Sequence, residues 1–197
     1  MTKRKYTKSL RSRQENGTRQ KIMDAAWELY GLCGPAKTTI SAIAKRAGVQ
    51  RLTVARHFPD DGDLIQSCFF RWFSRHPLPS AERWRGVVNR ADWAVVILSL
   101  IYSYYRQTSE MWDVVHRDAP SVPDLGRVLQ VLADCQEKLQ DDILASLPED
   151  IRDGRFGMAV TAHAVQFTTW QSLSAQHLDD ADMAALMSYW LRKCPAG

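Results

Sequence analysis

The stretch TTISAIAKRAGVQRLTVARHFPDDGDL, from Thr38 to Leu64, decides how the chain is read. Thr39 offers its hydroxyl to the free amides of a short helix, Ile40 to Ala47, whose inward face is Ile40, Ile43 and Ala44. Gly48 follows at once, where a left-handed residue lets the chain turn sharply. Val49 fills the corner. A second short helix spans Gln50 to Phe58, with Val54 and Phe58 facing inward at i and i+4 and Arg51, Thr53, Arg56 and His57 facing outward. Two short helices joined by a Gly-containing turn, the second basic on its exposed side, are the pattern of a helix-turn-helix.

Charge points the same way. The formal total is only +4 over 197 residues, but Met1 to Phe58 holds 13 Lys or Arg against three acids, hence +10. The remainder, from Pro59, holds 13 basic and 19 acidic residues, hence −6. A strongly basic end on a mildly acidic chain suggests that the first segment meets a polyanion. Residues 1–17 are polar and basic without periodicity and read as a flexible arm able to track phosphates or enter a minor groove. Thr18 caps a first helix with Ile22, Ala26, Leu29 and Cys33 on one face, stopped by Gly34-Pro35.

From Arg19 to Trp72 the chain resembles TetR-type transcriptional regulators, on the stretch quoted above together with the first helix. Gly and Pro are sparse inside the long segments and the apolar spacing is nearly always three or four, which points to an all-helical protein. The resemblance implies a three-helix DNA-binding domain, taken as residues 18–62, and a helical bundle over 63–197 for effector binding and dimerisation. Ala55 stands where that family usually has a Tyr that contacts phosphate, and Asp61 where a Lys commonly meets the DNA backbone. Asp60, Asp61 and Asp63 add acid at this boundary, although at the start of the next helix they favour its dipole.

A recognition helix reads base edges in the major groove while neighbouring groups grip phosphates. Arg51 and Arg56 have the reach and forked donors to read guanine, and Thr53 and His57 can contact bases or phosphates. Gln50 and Leu52 complete the candidate contacts on this helix. Thr39 and Ser41 can point hydroxyls and backbone amides at a phosphate, and Lys45 adds charge beside Arg46. The expected DNA is a double-stranded palindromic operator bound by a homodimer, because one recognition helix reads too few base pairs for useful specificity.

The rest of the chain reads as helices at about 62–75, 89–108, 110–117, 122–146, 155–176 and 180–193, with a loop over 76–85. Trp93, Ile97, Ile101 and Tyr105 step by four and form one stripe; His163, Phe167 and Trp170 share another face. With Trp72, Trp112 and His116 they are either core or the lining of a cavity for a small apolar or aromatic effector. The last two helices, carrying Ala159, Val160, Ala164, Phe167, Met183, Leu186, Met187 and Trp190, are where the family pairs its subunits.

Other classes fit less well. With 45% hydrophobic and 24% charged residues the chain can bury a core and is not disordered. No apolar stretch is long enough for a membrane span, and the basic N-terminus lacks the apolar block of a secretory signal, so a cytoplasmic protein is expected. Cys33, Cys68, Cys135 and Cys194 are too scattered for a zinc or redox motif. No nucleophile elbow, HExxH or Gly-rich phosphate loop suggests an enzyme, and no metal or cofactor is expected. The main reading is a ligand-released repressor; the alternatives are a DNA-binding regulator without an effector and, in a different class, an all-helical enzyme.

Overall fold

A computed structural model of the chain describes residues 2–87 and 89–195, with side chains from Glu15 onward. The side chains of the expected arm before Glu15 therefore lie outside the described residues. Every regular element among the described residues is helical: α1 (Thr2–Cys33), α2 (Ile40–Ala47), α3 (Arg51–His57), α4 (Asp61–Arg75), α5 (Glu82–Arg85), α6 (Trp93–Asp118), α7 (Leu125–Ala145), α8 (Glu149–Arg152), α9 (Arg155–Ala164), α10 (Phe167–Ser174) and α11 (Asp180–Arg192). Residues 1–75 and 113–129 form one compact unit, and 76–112 with 130–197 form the other.

In the first unit, α1 packs against α2, α3 and α4. Ile22, Ala26 and Tyr30 of α1 close on Ile43, Ala44, Val54, Phe58, Leu64 and Phe69, all of them buried. Trp27 extends this core, with its ring edge-on to Phe69 at 5.4 Å and tilted against Trp72 at 6.1 Å. The Arg19 guanidinium stacks 4.4 Å over the Phe58 ring and donates to Ser67 Oγ at 2.9 Å, covering the edge of the core.

Thr18 lies inside α1 rather than at its start. Gln, Arg and Lys are good helix formers, and no proline interrupts the segment, so the first helix runs upstream of the expected cap. At the other end Gly34 adopts φ 85° and ψ 159°, a conformation open essentially to glycine. There the chain turns into a short 3-10 segment, Pro35–Lys37. Asp118 clasps this turn: its buried carboxylate accepts from the Ala36 amide at 3.0 Å and from Arg117 Nε at 2.7 Å, while Arg117 Nη2 reaches Cys33 O at 3.4 Å.

The second unit corrects two sequence-based boundaries. The helices expected at 89–108 and 110–117 are one, α6, because Thr108 turns its hydroxyl back onto Tyr104 O at 2.6 Å and leaves the main chain helical. The single helix expected at 155–176 is two, α9 and α10, broken at Val165–Gln166. Three core side chains satisfy the carbonyls that such a break leaves without intrahelical partners. Tyr102 Oη donates to Ala164 O at 2.8 Å, Tyr105 Oη to Val165 O at 2.8 Å, and Gln136 Nε2 to Val165 O at 3.2 Å. The loop expected at 76–85 also holds α5, anchored by Trp84 Nε1 donating to Asp142 Oδ2 at 2.9 Å.

Candidate nucleic-acid interface

The turn between α2 and α3 is built as its residue types require. Thr39 caps α2, its Oγ1 accepting from the Ala42 amide at 3.1 Å. Gly48 sits in the left-handed region, φ 67° and ψ 34°, and its amide returns to the last carbonyls of α2. The Val49 amide closes the turn on Ala44 O at 3.0 Å. Val54, fully buried, and Phe58, nearly so, then anchor one side of α3 to α1 and leave the other side clear.

At about 3.6 residues per turn, Leu52 and Arg56 lie opposite Val54, and the order Arg51, Ala55, Leu52, Arg56 runs around one flank to that side. All four are exposed. Thr53 and His57 fall on the other flank and are half-buried, and His57 Nε2 is covered without a hydrogen-bond partner. The outward arc is thus centred on Leu52 and Ala55, with an arginine at each side, rather than on the four polar residues Arg51, Thr53, Arg56 and His57. Ala55 was absent from the candidate contacts; placing every residue by its angle around the helix, not only the polar ones, would have found it.

Around this arc, Ser41, Lys45 and Gln50 are exposed, while the Thr39 hydroxyl is engaged in its cap. Arg46 pairs with Glu28 of α1, its Nε 2.6 Å from Oε2. That contact ties α2 to α1 and directs the guanidinium along the protein surface. Asp60 accepts from the Gly62 amide at 2.9 Å and so caps α4, whose first turn carries Asp61 and Asp63. This acidic turn has a structural duty independent of any DNA.

The candidate effector residues are divided between the two units. Trp72 and His116 belong to the first unit. In the second, Tyr105, Phe167 and Trp170 pack ring against ring, at 5.3 Å for Tyr105 with Phe167 and 5.5 Å for Phe167 with Trp170. Ile97, Ile101 and Trp112 are fully buried; Trp93 is half-buried, donating to Val87 O at 3.3 Å; His163 is exposed. A cavity of about 520 Å³ lies elsewhere in the same unit, along α7 and the 78–85 segment, where Leu78, Trp84, Val131, Cys135 and Leu139 share the wall with the charged Arg85, Asp134, Lys138, Asp141 and Asp142. Burial pushes the Cys135 thiol up to about 11, so it stays neutral.

No group of His, Cys, Asp and Glu suited to a metal ion occurs among the described residues, and none of their helices is long and apolar enough to cross a membrane. No curated protein matches the chain. Ten chains of solved structures do. Two are crystal structures of the HlyIIR mutant protein carrying linker substitutions. One is 16% identical over 91% of this chain and 100% of that one, with a TM-score of 0.60; the other is 16% identical over 92% and 98%, with a TM-score of 0.61. These share the fold. The family described as bacterial regulatory proteins, tetR family, matches residues 22–68, the segment that holds α2, α3 and the ends of α1 and α4 that enclose them. By that match, the segment 22–68 is a TetR-type helix-turn-helix DNA-binding domain.

Proposed function

We propose that the chain is a transcriptional repressor that binds a palindromic operator as a homodimer and is released by a small apolar effector. The observation that carries the proposal is the outward arc of α3: two arginines with no ion-pair partner among the described residues, on a helix fixed from behind by Val54 and Phe58. Arginine forks suit the O6 and N7 acceptors of guanine, and the surrounding +10 segment supplies phosphate attraction. Thr39, Ser41, Lys45, Gln50, Thr53 and His57 are proposed as phosphate or flanking contacts.

Pairing is proposed through the last helices. α9 packs on α11, and the pair leaves Phe156, Met158, Tyr189 and Trp190 exposed at 39%, 46%, 59% and 49%. Ala164, Phe167, Met183 and Met187 are buried within the protomer, so the outward set is what a second copy would cover. For the effector, the space along α7 is of the size such ligands occupy. An effector that binds more tightly when the two recognition helices are wrongly spaced shifts the population away from DNA. The closed packing of Tyr105, Phe167 and Trp170 favours the second reading, a regulator without an effector, for that cluster.

Selection of bound fragments from random DNA with the full chain tests the scheme. An inverted repeat is expected, its half-sites about one helical turn apart or a multiple of it. The variant Arg51→Ala with Arg56→Ala should not enrich it. No enrichment by the unaltered protein would overturn the proposal.

A further inference from the structure

We infer that Leu52 reads a thymine 5-methyl group in each half-site, beside base pairs taken by Arg51 and Arg56, and that the small Ala55 next to it lets the helix come close enough to do so. The inference rests on α3 being the reading helix. Leu52 is 78% exposed, and Ala55, one turn along, is exposed beside it. The two form an apolar strip one residue wide, bounded on each side by a guanidinium. Such a strip is too narrow for a protein core contact and too hemmed by charge for one. It does match the major groove, whose floor offers one apolar group, the C5 methyl of thymine. A leucine over the amino group of cytosine or adenine would instead strip water from a donor without replacing the bond. The strip therefore selects by attraction to thymine and by exclusion of its competitors.

Ala55 sharpens the effect. A small side chain between Arg51 and Leu52 lets the helix lie close to the bases, so that the leucine branches reach the groove floor. The chemistry assigned to the operator is thus a thymine beside guanines in each half-site.

The test uses the full-length protein and the operator recovered by selection, prepared with deoxyuridine in place of those thymines. That exchange removes only the methyl group and keeps every hydrogen-bonding edge. Binding should weaken roughly fourfold for each methyl removed, and about 15-fold when one is removed from each half-site, as for the loss of one buried CH2 group apiece. Leu52→Ala, at an exposed position that leaves the fold intact by circular dichroism, should bind the thymine operator less tightly and lose its sensitivity to deoxyuridine. If the unaltered protein binds both duplexes equally, or if Leu52→Ala responds to deoxyuridine as fully as the unaltered protein, the methyl reading is wrong while DNA reading by α3 stands. Recovery of no operator at all would sink the reading on which both rest.

Discussion

Replacing Gly34 by alanine should be among the most damaging single-methyl changes in the first unit. The cost has two parts. At φ 85° and ψ 159° an L side chain is strained whatever surrounds it, at about 1–3 kcal/mol. The added Cβ would also overlap Asp118 Oδ2 and Arg117 Nη2, so the buried carboxylate must move away from the Ala36 amide. Losing that charge-assisted bond adds about 1–2 kcal/mol. The sum, about 2–5 kcal/mol, is a large share of the ~5–15 kcal/mol that typically holds a domain folded. Urea unfolding followed by circular dichroism reads it as a lower midpoint at unchanged slope. The double variant with Asp118→Ala separates the parts. With the carboxylate gone its overlap disappears and Arg117, freed from that ion pair, can swing away from the new methyl, so the combined loss should fall short of the two single losses added together. A loss below about 1 kcal/mol for Gly34→Ala, or strict additivity in the double variant, would refute the clasp.

The same carboxylate sets a pH dependence. Burial raises the Asp118 carboxyl, but the Arg117 bond, the Ala36 amide and the cations of Arg117 and Lys37 outweigh it and hold the group below its usual range. A depressed folded value contributes stability that is fully present above the unfolded value, about 3.9, and is lost as pH falls through the folded one. The stability gap between the unaltered protein and Asp118→Asn should therefore narrow in acid urea titrations; a constant gap would count against it. Tyr102→Phe removes the hydroxyl donor to Ala164 O described above and should cost about 1–3 kcal/mol. Tyr105→Phe removes both the donor to Val165 O and the acceptor of Gln136 Nε2 and should cost at least as much, although Gln136 still reaches Val165 O; no measurable change in thermal melts for either variant would contradict the capping account. Trp190→Glu, at a half-exposed site on α11, should shift sedimentation equilibrium from dimer to monomer, and an unchanged mass would place the pairing surface elsewhere.

The helix-turn-helix was legible because each of its joints depends on one residue type: a hydroxyl at Thr39, a left-handed glycine at Gly48, apolar anchors at Val54 and Phe58. Those signals are local, and local chemistry survives folding. The break at Val165 was not legible. Nothing between Ala164 and Phe167 forbids a helix; the interruption is stabilised by Tyr102, Tyr105 and Gln136, which lie about 30 or 60 residues away in sequence. The join at Thr108 went the other way, since a threonine that reads as a stop can bond its own helix instead. On α3, the outward angle was not legible from the polar residues alone. His57 is basic and close to the arc, yet its ring turns onto the flank, whereas the uncharged Leu52 and Ala55 occupy the centre.

The four side chains of that arc have one more property. Val54 and Phe58 hold α3 in place, and no hydrogen bond or ion pair within the described residues depends on Arg51, Leu52, Ala55 or Arg56. What the helix recognises is thus written in positions that the scaffold does not use. The address can be rewritten by exchanging those side chains while the cap, the turn and the hydrophobic anchor stay as they are, so that changes of target and losses of stability fall on separate sets of residues.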